Sequence, residues 1–92
     1  MKVKAEFFAD LREKVGCPAM ELEIAGSTLL DLIEELDART GGALMKNVLE
    51  GGKLKDLVKV LVNGRDVRGL RGLETGLNDG DVVSFFPPVA GG

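Results

Sequence analysis

The chain has 92 residues, enough for one domain with a single core, and its 45% hydrophobic and 29% charged residues are ordinary for a globular protein. It contains no histidine and only one cysteine, which removes the commonest general base and excludes an internal disulfide or a multi-cysteine metal site. The net charge of −3, with no Trp or Tyr, argues against nucleic-acid binding. We therefore expect any chemistry at this protein to be catalysed by a partner.

Nothing in the sequence indicates a membrane segment or an export signal. The apolar runs are short and interrupted, and residues 1–4 are not followed by the long apolar stretch of a signal peptide. We expect a cytoplasmic protein with no membrane span.

The N-terminal part is predicted to form a hairpin with a wide turn. Residues 2–8 alternate apolar and charged side chains, which indicates a strand. Asp10 with Glu13 resembles a capping box at the start of a short helical turn, and Gly16 is a suitable stop. Residues 20–24 alternate again and predict a second strand, antiparallel to the first.

The next segment predicts the main helix. Ser27 or Thr28 can serve as its N-cap, and the glycines at 41–42 end it. Helical spacing over residues 43–49 predicts a short second helix, which the glycines at 51–52 stop. The main helix carries one apolar stripe, suited to covering a sheet, at Leu29, Leu32, Ile33 and Leu36.

Three further strands are predicted in the C-terminal part. Residues 58–62 form the first, the dipeptide 63–64 (Asn-Gly) is a strong type I′ turn, and residues 65–67 form a short partner strand. The last strand covers residues 81–86 after a turn rich in Asn, Asp and Gly. The connection between them is irregular but is expected to bury its leucines, Leu70, Leu73 and Leu77.

This order of elements predicts an α+β protein with the β-grasp fold. The helix must return the chain to the same sheet, and the final strand can then lie centrally and parallel to the first. The result is a mixed sheet of four or five strands packed by one main helix, with a short second helix.

We expect the fold to expose the end of the last strand, and the residues after it, to partner proteins. Pro87 and Pro88 follow Phe86 and stop the strand ladder, because proline has no N–H to donate. We predict a domain over residues 1–88 and a projecting tail over residues 89–92, which extends at most about 14 Å. Terminal glycines suit a narrow enzyme cleft, because they lack a Cβ. The alternative is an ordinary frayed end.

The charge is unevenly distributed along the chain. Residues 51–71 carry six basic and two acidic side chains, whereas the chain as a whole is acidic. This segment is either a patch for an acidic partner or a solvated face. Its basic residues are Lys53, Lys55, Lys59, Arg65, Arg68 and Arg71.

Residues 2–13, 60–65 and 77–92 resemble the MoaD/ThiS-type ubiquitin-like sulfur-carrier family. This family includes the small subunit of molybdopterin synthase and the small archaeal modifier proteins. The resemblance spans the chain, and its most specific part joins Asp-Gly-Asp, Phe-Phe-Pro-Pro and a final Gly-Gly. Residues 41–59 are longer than in the most compact members, which favours the archaeal modifier group.

The resemblance implies a carrier cycle. A ubiquitin-activating-type enzyme consumes ATP to adenylate the carboxylate of Gly92, which is otherwise a poor electrophile. Sulfur from a persulfide then produces a thiocarboxylate, which is donated to a pterin precursor on the large subunit of molybdopterin synthase. In the modifier branch a target lysine attacks the activated carbonyl and forms an isopeptide bond. The chain itself is expected to bind no cofactor and no metal.

The resemblance also implies which residues contact partners. Gly92 is the reacting residue. The other partner-binding residues form the C-terminal end that enters the enzyme cleft, the proline exit from the last strand, or the surface beside these two. For Phe8 and Phe86 the alternative is core packing, and for Arg12 it is a solvated helical position. The predicted partner-binding residues are Gly91, Phe86, Pro87, Pro88, Val89, Phe8 and Arg12.

Two other functions remain for comparison. A β-grasp interaction module would bind partners without chemistry, and its Gly-Gly would then be incidental. A ferredoxin-type electron carrier is rejected by the single cysteine, Cys17, for which we expect a small packed side chain.

Overall fold

Alternating apolar residues build a five-stranded mixed sheet, and one amphipathic helix covers one of its faces. The computed structural model describes residues 1–88; the predicted tail over residues 89–92 lies outside the described residues. The helices and strands are β1 (Lys2–Phe7), α1 (Leu11–Val15), β2 (Ala19–Glu23), α2 (Leu29–Arg39), α3 (Ala43–Val48), β3 (Leu49–Glu50), β4 (Lys53–Leu54), β5 (Lys59–Val62), β6 (Arg65–Asp66) and β7 (Val82–Phe86), with 3₁₀ turns at Val67–Gly69 and Gly72–Glu74.

The strand order in the main sheet is β2-β1-β7-β5-β6. The central pair, β1 and β7, is parallel, with Phe7 opposite Phe85, and the other pairs in this sheet are antiparallel. The first and last strands of the sequence are therefore neighbours at the centre of the sheet. The predicted β-grasp fold is confirmed.

The core lies between the inner sheet face and α2. Phe7 and Phe85, on adjacent strands, are 1% and 0% exposed, and their rings stack with centroids 5.6 Å apart. Aromatic pairs at this spacing add to the stabilisation that comes from burying their area. The predicted helical stripe is fully buried against this face, at Leu29, Leu32, Ile33 and Leu36.

Helix α2 begins with a complete capping box. Thr28 is the N-cap, and its Oγ1 accepts a hydrogen bond from the backbone N–H of Asp31 (3.2 Å). The Asp31 carboxylate accepts in return from the backbone N–H groups of Ser27 (2.9 Å) and Thr28 (3.1 Å). These bonds, with the Ser27 N–H first, lower the pKa of Asp31 below its ordinary value of 3.8. Of the two predicted caps, Thr28 is therefore the one used.

The predicted capping box at Asp10 is wrong. Asp10 has helical backbone dihedrals (φ −72°, ψ −11°) and makes no side-chain capping bond, because capping needs an extended backbone at that residue. Its carboxylate instead lies 3.5 Å from Nζ of Lys14, one turn further along. The predicted helix stop at Gly16 is confirmed by its φ of +96°.

The predicted short second helix is confirmed as α3, but the residues that follow it differ from the prediction. Helix α3 ends at Val48, and residues 49–54 form a two-stranded hairpin rather than a simple helix stop. Gly51 and Gly52 have φ values of +59° and +79°, the left-handed conformation that a two-residue hairpin turn requires. The segment is thus an ordered hairpin beside the main sheet.

The connection between β6 and β7 buries only part of its leucines. Leu77 is buried and Leu73 is half-buried, as expected, but Leu70 is 39% exposed, so the prediction for Leu70 is wrong. Leu70 directly follows the first 3₁₀ turn, where the tight turn directs it away from the core. Among the described residues, no helix has the length and apolarity needed to cross a bilayer.

We predict that Asp31→Asn lowers the free energy of unfolding at pH 7 and that the difference from the wild type narrows in acid. A carboxyl whose pKa is lower in the folded state stabilises the fold above its unfolded pKa, and this contribution is lost as pH falls through the folded pKa. Urea unfolding at neutral and acid pH measures the effect. Glu34→Gln, an exposed site on the same helix, is the control. A difference that stays constant with pH contradicts the prediction.

Candidate functional site

The candidate site is the place where β7 leaves the centre of the sheet. The backbone N–H of Phe8 donates to the carbonyl oxygen of Phe85 (3.1 Å) near the end of this strand. Pro87 and Pro88 follow directly, and neither can donate a further ladder bond. Pro87 is buried and Pro88 is exposed, so the chain turns outward between them. The exit from the strand is therefore fixed by the body of the protein.

An aromatic pair flanks this exit on the outer face of the sheet. The rings of Phe8 and Phe86 stack in parallel, with centroids 4.4 Å apart and an angle of 10° between planes. Both residues are half-buried and lie outside the hydrophobic core. Because successive strand residues point to opposite faces, Phe85 faces α2 and Phe86 faces outward. The core-packing alternative for Phe8 and Phe86 therefore does not describe this fold.

Further apolar side chains extend the surface around the aromatic pair. Strand register places Leu61 opposite Ser84 and Lys59 opposite Phe86, with Val82 further along β7 on the same face. We call the half-buried set Phe8, Phe86, Leu61 and Val82 the aromatic face. The sequence contained the signal for Leu61 and Val82, since both alternate with buried valines, but they were not predicted as site residues.

Polar side chains from β1 and β7 also lie on this face of the sheet. The hydroxyl of Ser84 donates to Oε1 of Glu6 (3.4 Å), and Nζ of Lys4 lies 3.7 Å from Oε2 of the same carboxylate. These three side chains are half-buried, so their interactions are exposed to solvent and weak. Lys4 and Glu6 border the aromatic face on β1, whereas Ser84 lies within it, between Val82 and Phe86.

Arg12 lies close to Phe8 in sequence. It lies in α1, one turn beyond Phe8, and its side chain is exposed. Within residues 1–88, none of the ion pairs involves its guanidinium. The partner-binding roles of Arg12, Phe8, Phe86, Pro87 and Pro88 remain predictions.

The remaining predicted site residues, Val89, Gly91 and Gly92, lie outside the described residues, and their roles also remain predictions. Over the described part of the chain, no group of three or more His, Cys, Asp or Glu side chains is arranged to hold a metal ion. Cys17 is half-buried and packs against the core, as predicted for a small apolar side chain.

Comparison with known proteins identifies the family of this chain. Residues 5–92 match the ThiS family, so the match includes the strand exit and the last two glycines. The chain belongs to the ThiS family. The resemblance found in the sequence is thereby confirmed.

The relatives of this ThiS-family chain include a small archaeal modifier protein and a sulfur carrier subunit. It is 43% identical over 93 residues to small archaeal modifier protein 3 of Haloferax volcanii, with all of both chains covered. It is 36% identical over 90 residues to the molybdopterin synthase sulfur carrier subunit of Escherichia coli, covering 98% of this chain and 99% of the relative. A chain in the crystal structure of the Amycolatopsis orientalis BexX/CysO complex superposes with a TM-score of 0.83 and 33% identity, covering 98% and 99% of the two chains.

We predict that the two stacked pairs contribute very differently to stability. Phe85→Ala removes a fully buried ring and should lower the free energy of unfolding by about 3–5 kcal/mol. Phe86→Ala removes a half-buried ring from the outer face and should cost about 1–2 kcal/mol. Urea unfolding of the two variants measures the difference. Equal losses would mean that Phe86 is a core residue.

Proposed function

We propose that this chain is a ubiquitin-like carrier protein whose Gly92 carboxyl is activated by a partner enzyme. The activated carboxyl is thiocarboxylated to deliver sulfur for molybdopterin synthesis, is joined to lysines of target proteins, or serves in both ways. The observation that carries the proposal is the family match, which runs through residue 92 and includes the Phe-Phe-Pro-Pro exit.

The geometry of the strand exit supports this role. Strand β7 is central in the sheet, and the hydrogen bonds of β1 and β5 on either side fix its position. Pro88 is exposed, and a four-residue segment beyond it spans at most about 14 Å. A rigid body with a short peptide arm suits an enzyme that must enclose the last carboxyl group while holding the body outside its cleft.

The chemistry requires activation because a carboxylate is a poor electrophile at neutral pH. A carboxylate oxygen of Gly92 attacks the α-phosphorus of ATP and releases pyrophosphate, which forms an acyl-adenylate. A persulfide sulfur of the enzyme displaces AMP to give an acyl disulfide. An enzyme thiol then cleaves that S–S bond, leaving the thiocarboxylate on Gly92 and a disulfide on the enzyme.

In the modifier branch the ε-amino group of a target lysine attacks the activated carbonyl instead, and an isopeptide bond forms as the leaving group departs. In both branches the enzymes supply the acid–base and nucleophilic groups, and this chain supplies the acyl carbon. It binds no cofactor of its own in this scheme, and ATP is consumed by the activating enzyme in the cytoplasm.

The proposed partners are an adenylating enzyme of the ubiquitin-activating type, the large subunit of molybdopterin synthase, and target proteins with accessible lysines. The names of the relatives support both branches, since one is a modifier protein and another a sulfur carrier subunit. The BexX/CysO complex supports the view that a protein of this fold acts while bound to a partner.

We predict that intact mass spectrometry after co-expression with the cognate activating enzyme detects this chain with one oxygen replaced by sulfur, or as a covalent adduct. Deletion of Gly92 should abolish both products, because the reacting carbonyl is then on the wrong residue. Gly69→Ala is the matched control, since a methyl group there meets nothing within 4 Å and the backbone is not left-handed.

If neither product appears, and deletion of Gly92 leaves partner binding unchanged, the chain is a non-covalent β-grasp interaction module instead. In that case the Gly-Gly end is incidental and the outer sheet face carries the function.

We further predict that a tagged chain, purified from its native host under denaturing conditions, separates the two branches. Covalent conjugates that survive denaturation and disappear on deletion of Gly92 indicate the modifier role. A pterin-binding large subunit that copurifies only under native conditions indicates the synthase role. The two results are compatible, and the absence of both contradicts the proposed function.

A further inference from the structure

One large apolar side chain is displayed on a tight turn close to the strand exit. Leu57 is 72% exposed and is the third residue of the turn that connects β4 to β5. The turn is closed by a hydrogen bond from the backbone N–H of Val58 to the carbonyl oxygen of Lys55 (3.0 Å). Turn positions usually carry polar residues or glycine, and covering an exposed leucine with an apolar partner surface is favourable.

The structure holds this turn rigidly from two sides. The backbone N–H of Lys55 donates to the carbonyl oxygen of Val48 (2.9 Å) at the end of α3. The guanidinium of Arg68 donates to the carbonyl oxygens of Lys55 (2.7 Å) and Val58. Charge-assisted bonds of this kind are stronger than neutral ones. Leu57 is therefore presented on an ordered backbone, and little conformational entropy remains to be lost when a partner covers it.

The turn borders the point where the chain leaves the described body. Leu57 and Pro88 line one groove of about 350 Å³, whose other walls come from the β3–β4 hairpin and the turn itself. The lining does not include Phe8 or Phe86, so the groove is separate from the aromatic face. Its lining residues are Glu50, Lys53, Leu54, Lys55, Asp56, Leu57 and Pro88.

The length of the remaining chain limits where an enzyme can bind. Residues 89–92 span at most about 14 Å, so a protein that encloses the carboxyl of Gly92 must come within that distance of Pro88. Most protein interfaces bury roughly 800 Å² on each partner, far more than a four-residue peptide supplies. The enzyme must therefore cover part of the surface that surrounds Pro88.

The charges near the groove specify the chemistry of that enzyme surface. The groove wall carries two lysines, Lys53 and Lys55, and two carboxylates, Glu50 and Asp56. An enzyme surface that places both acidic and basic groups around an apolar side chain complements this arrangement.

We propose that the enzyme which activates Gly92 docks over this groove, packing an apolar side chain against Leu57, with carboxylates near Lys53 and Lys55 and basic groups near Glu50 and Asp56. The inference rests on the proposed function and adds a second contact surface to the aromatic face. Leu57 is a specificity-determining residue for recognition of the body and takes no part in the chemistry at the carboxyl group.

The test is ATP–pyrophosphate exchange by the purified activating enzyme, with wild-type and variant carriers as substrates. Leu57→Asp should raise the KM for the carrier about tenfold or more, because it removes apolar contact and places a carboxylate against the apolar side chain of the enzyme, while kcat stays within about twofold. Leu70→Asp is the matched control, since Leu70 is exposed but does not line the groove. Leu57→Ser should show a smaller rise in KM without the charge.

A charge-reversal arm tests the carboxylates placed near Lys53 and Lys55. The double variant Lys53→Glu and Lys55→Glu should raise KM strongly at about 0.05 M salt and less at about 0.5 M salt, because screening weakens the repulsion. Lys46→Glu, an exposed lysine that lines a different groove, is the control and should behave as the wild type.

The outcomes separate the two proposals. If the wild-type chain is not activated at all, the proposed function fails and the docking inference fails with it. If the wild type is activated but Leu57→Asp and Leu57→Ser match Leu70→Asp, the inference alone is overturned. It is also overturned if the wild type sediments as a dimer and the Leu57 variants as monomers, since a second copy then occupies the groove.

Discussion

The parallel pairing of the first and last strands is the constraint on which the rest of this structure depends. The register that sets Phe7 opposite Phe85 directs both rings into the core and leaves Phe8 and Phe86 to stack on the other face. A slip of one residue would exchange the two faces, so core packing fixes the outer surface as well. The same pairing places the exit of β7 at the centre of the sheet, between β1 and β5. Fold stability and presentation of the exit are thus controlled by one set of contacts.

Much of this fold was predictable because its signals are local. The stripe of α2, the type I′ turn at Asn63-Gly64 and the alternation of the long strands each follow from residues close together in sequence. The β3–β4 hairpin was missed because strands of two residues have no measurable period, although a Gly-Gly pair also favours a hairpin turn. The backbone at Asp10 was missed because it follows Ala9, whose φ of +53° no local pattern indicates. Tertiary packing therefore determined the backbone conformation of these two segments.

The candidate site likewise has one part that the sequence predicts and another that only the folded structure reveals. The family resemblance identified Phe8 and Phe86, and alternation along β7 shows which side of the sheet they face. Leu57 carried no such signal, because the exposure of a loop residue depends on what packs around it. Here the anchor is Arg68, eleven residues away in sequence, whose guanidinium bonds to both ends of the turn. The basic segment was visible from composition, but the position of Lys53 and Lys55 in one groove with Pro88 required the folded structure.

The composition of the C-terminal segment explains why recognition must use the body of the domain. Residues 89–92 are Val, Ala, Gly and Gly, which offer backbone hydrogen bonds and two small apolar side chains. An enzyme that read only this peptide would gain little affinity and could not distinguish one Gly-Gly carrier from another, because specificity is a difference between binding free energies. Side chains with the size and charge to create that difference lie on the folded domain around Pro88. In the proposed carrier cycle we therefore expect those surfaces to discriminate between enzymes, while the peptide supplies reach and the reacting carboxyl group.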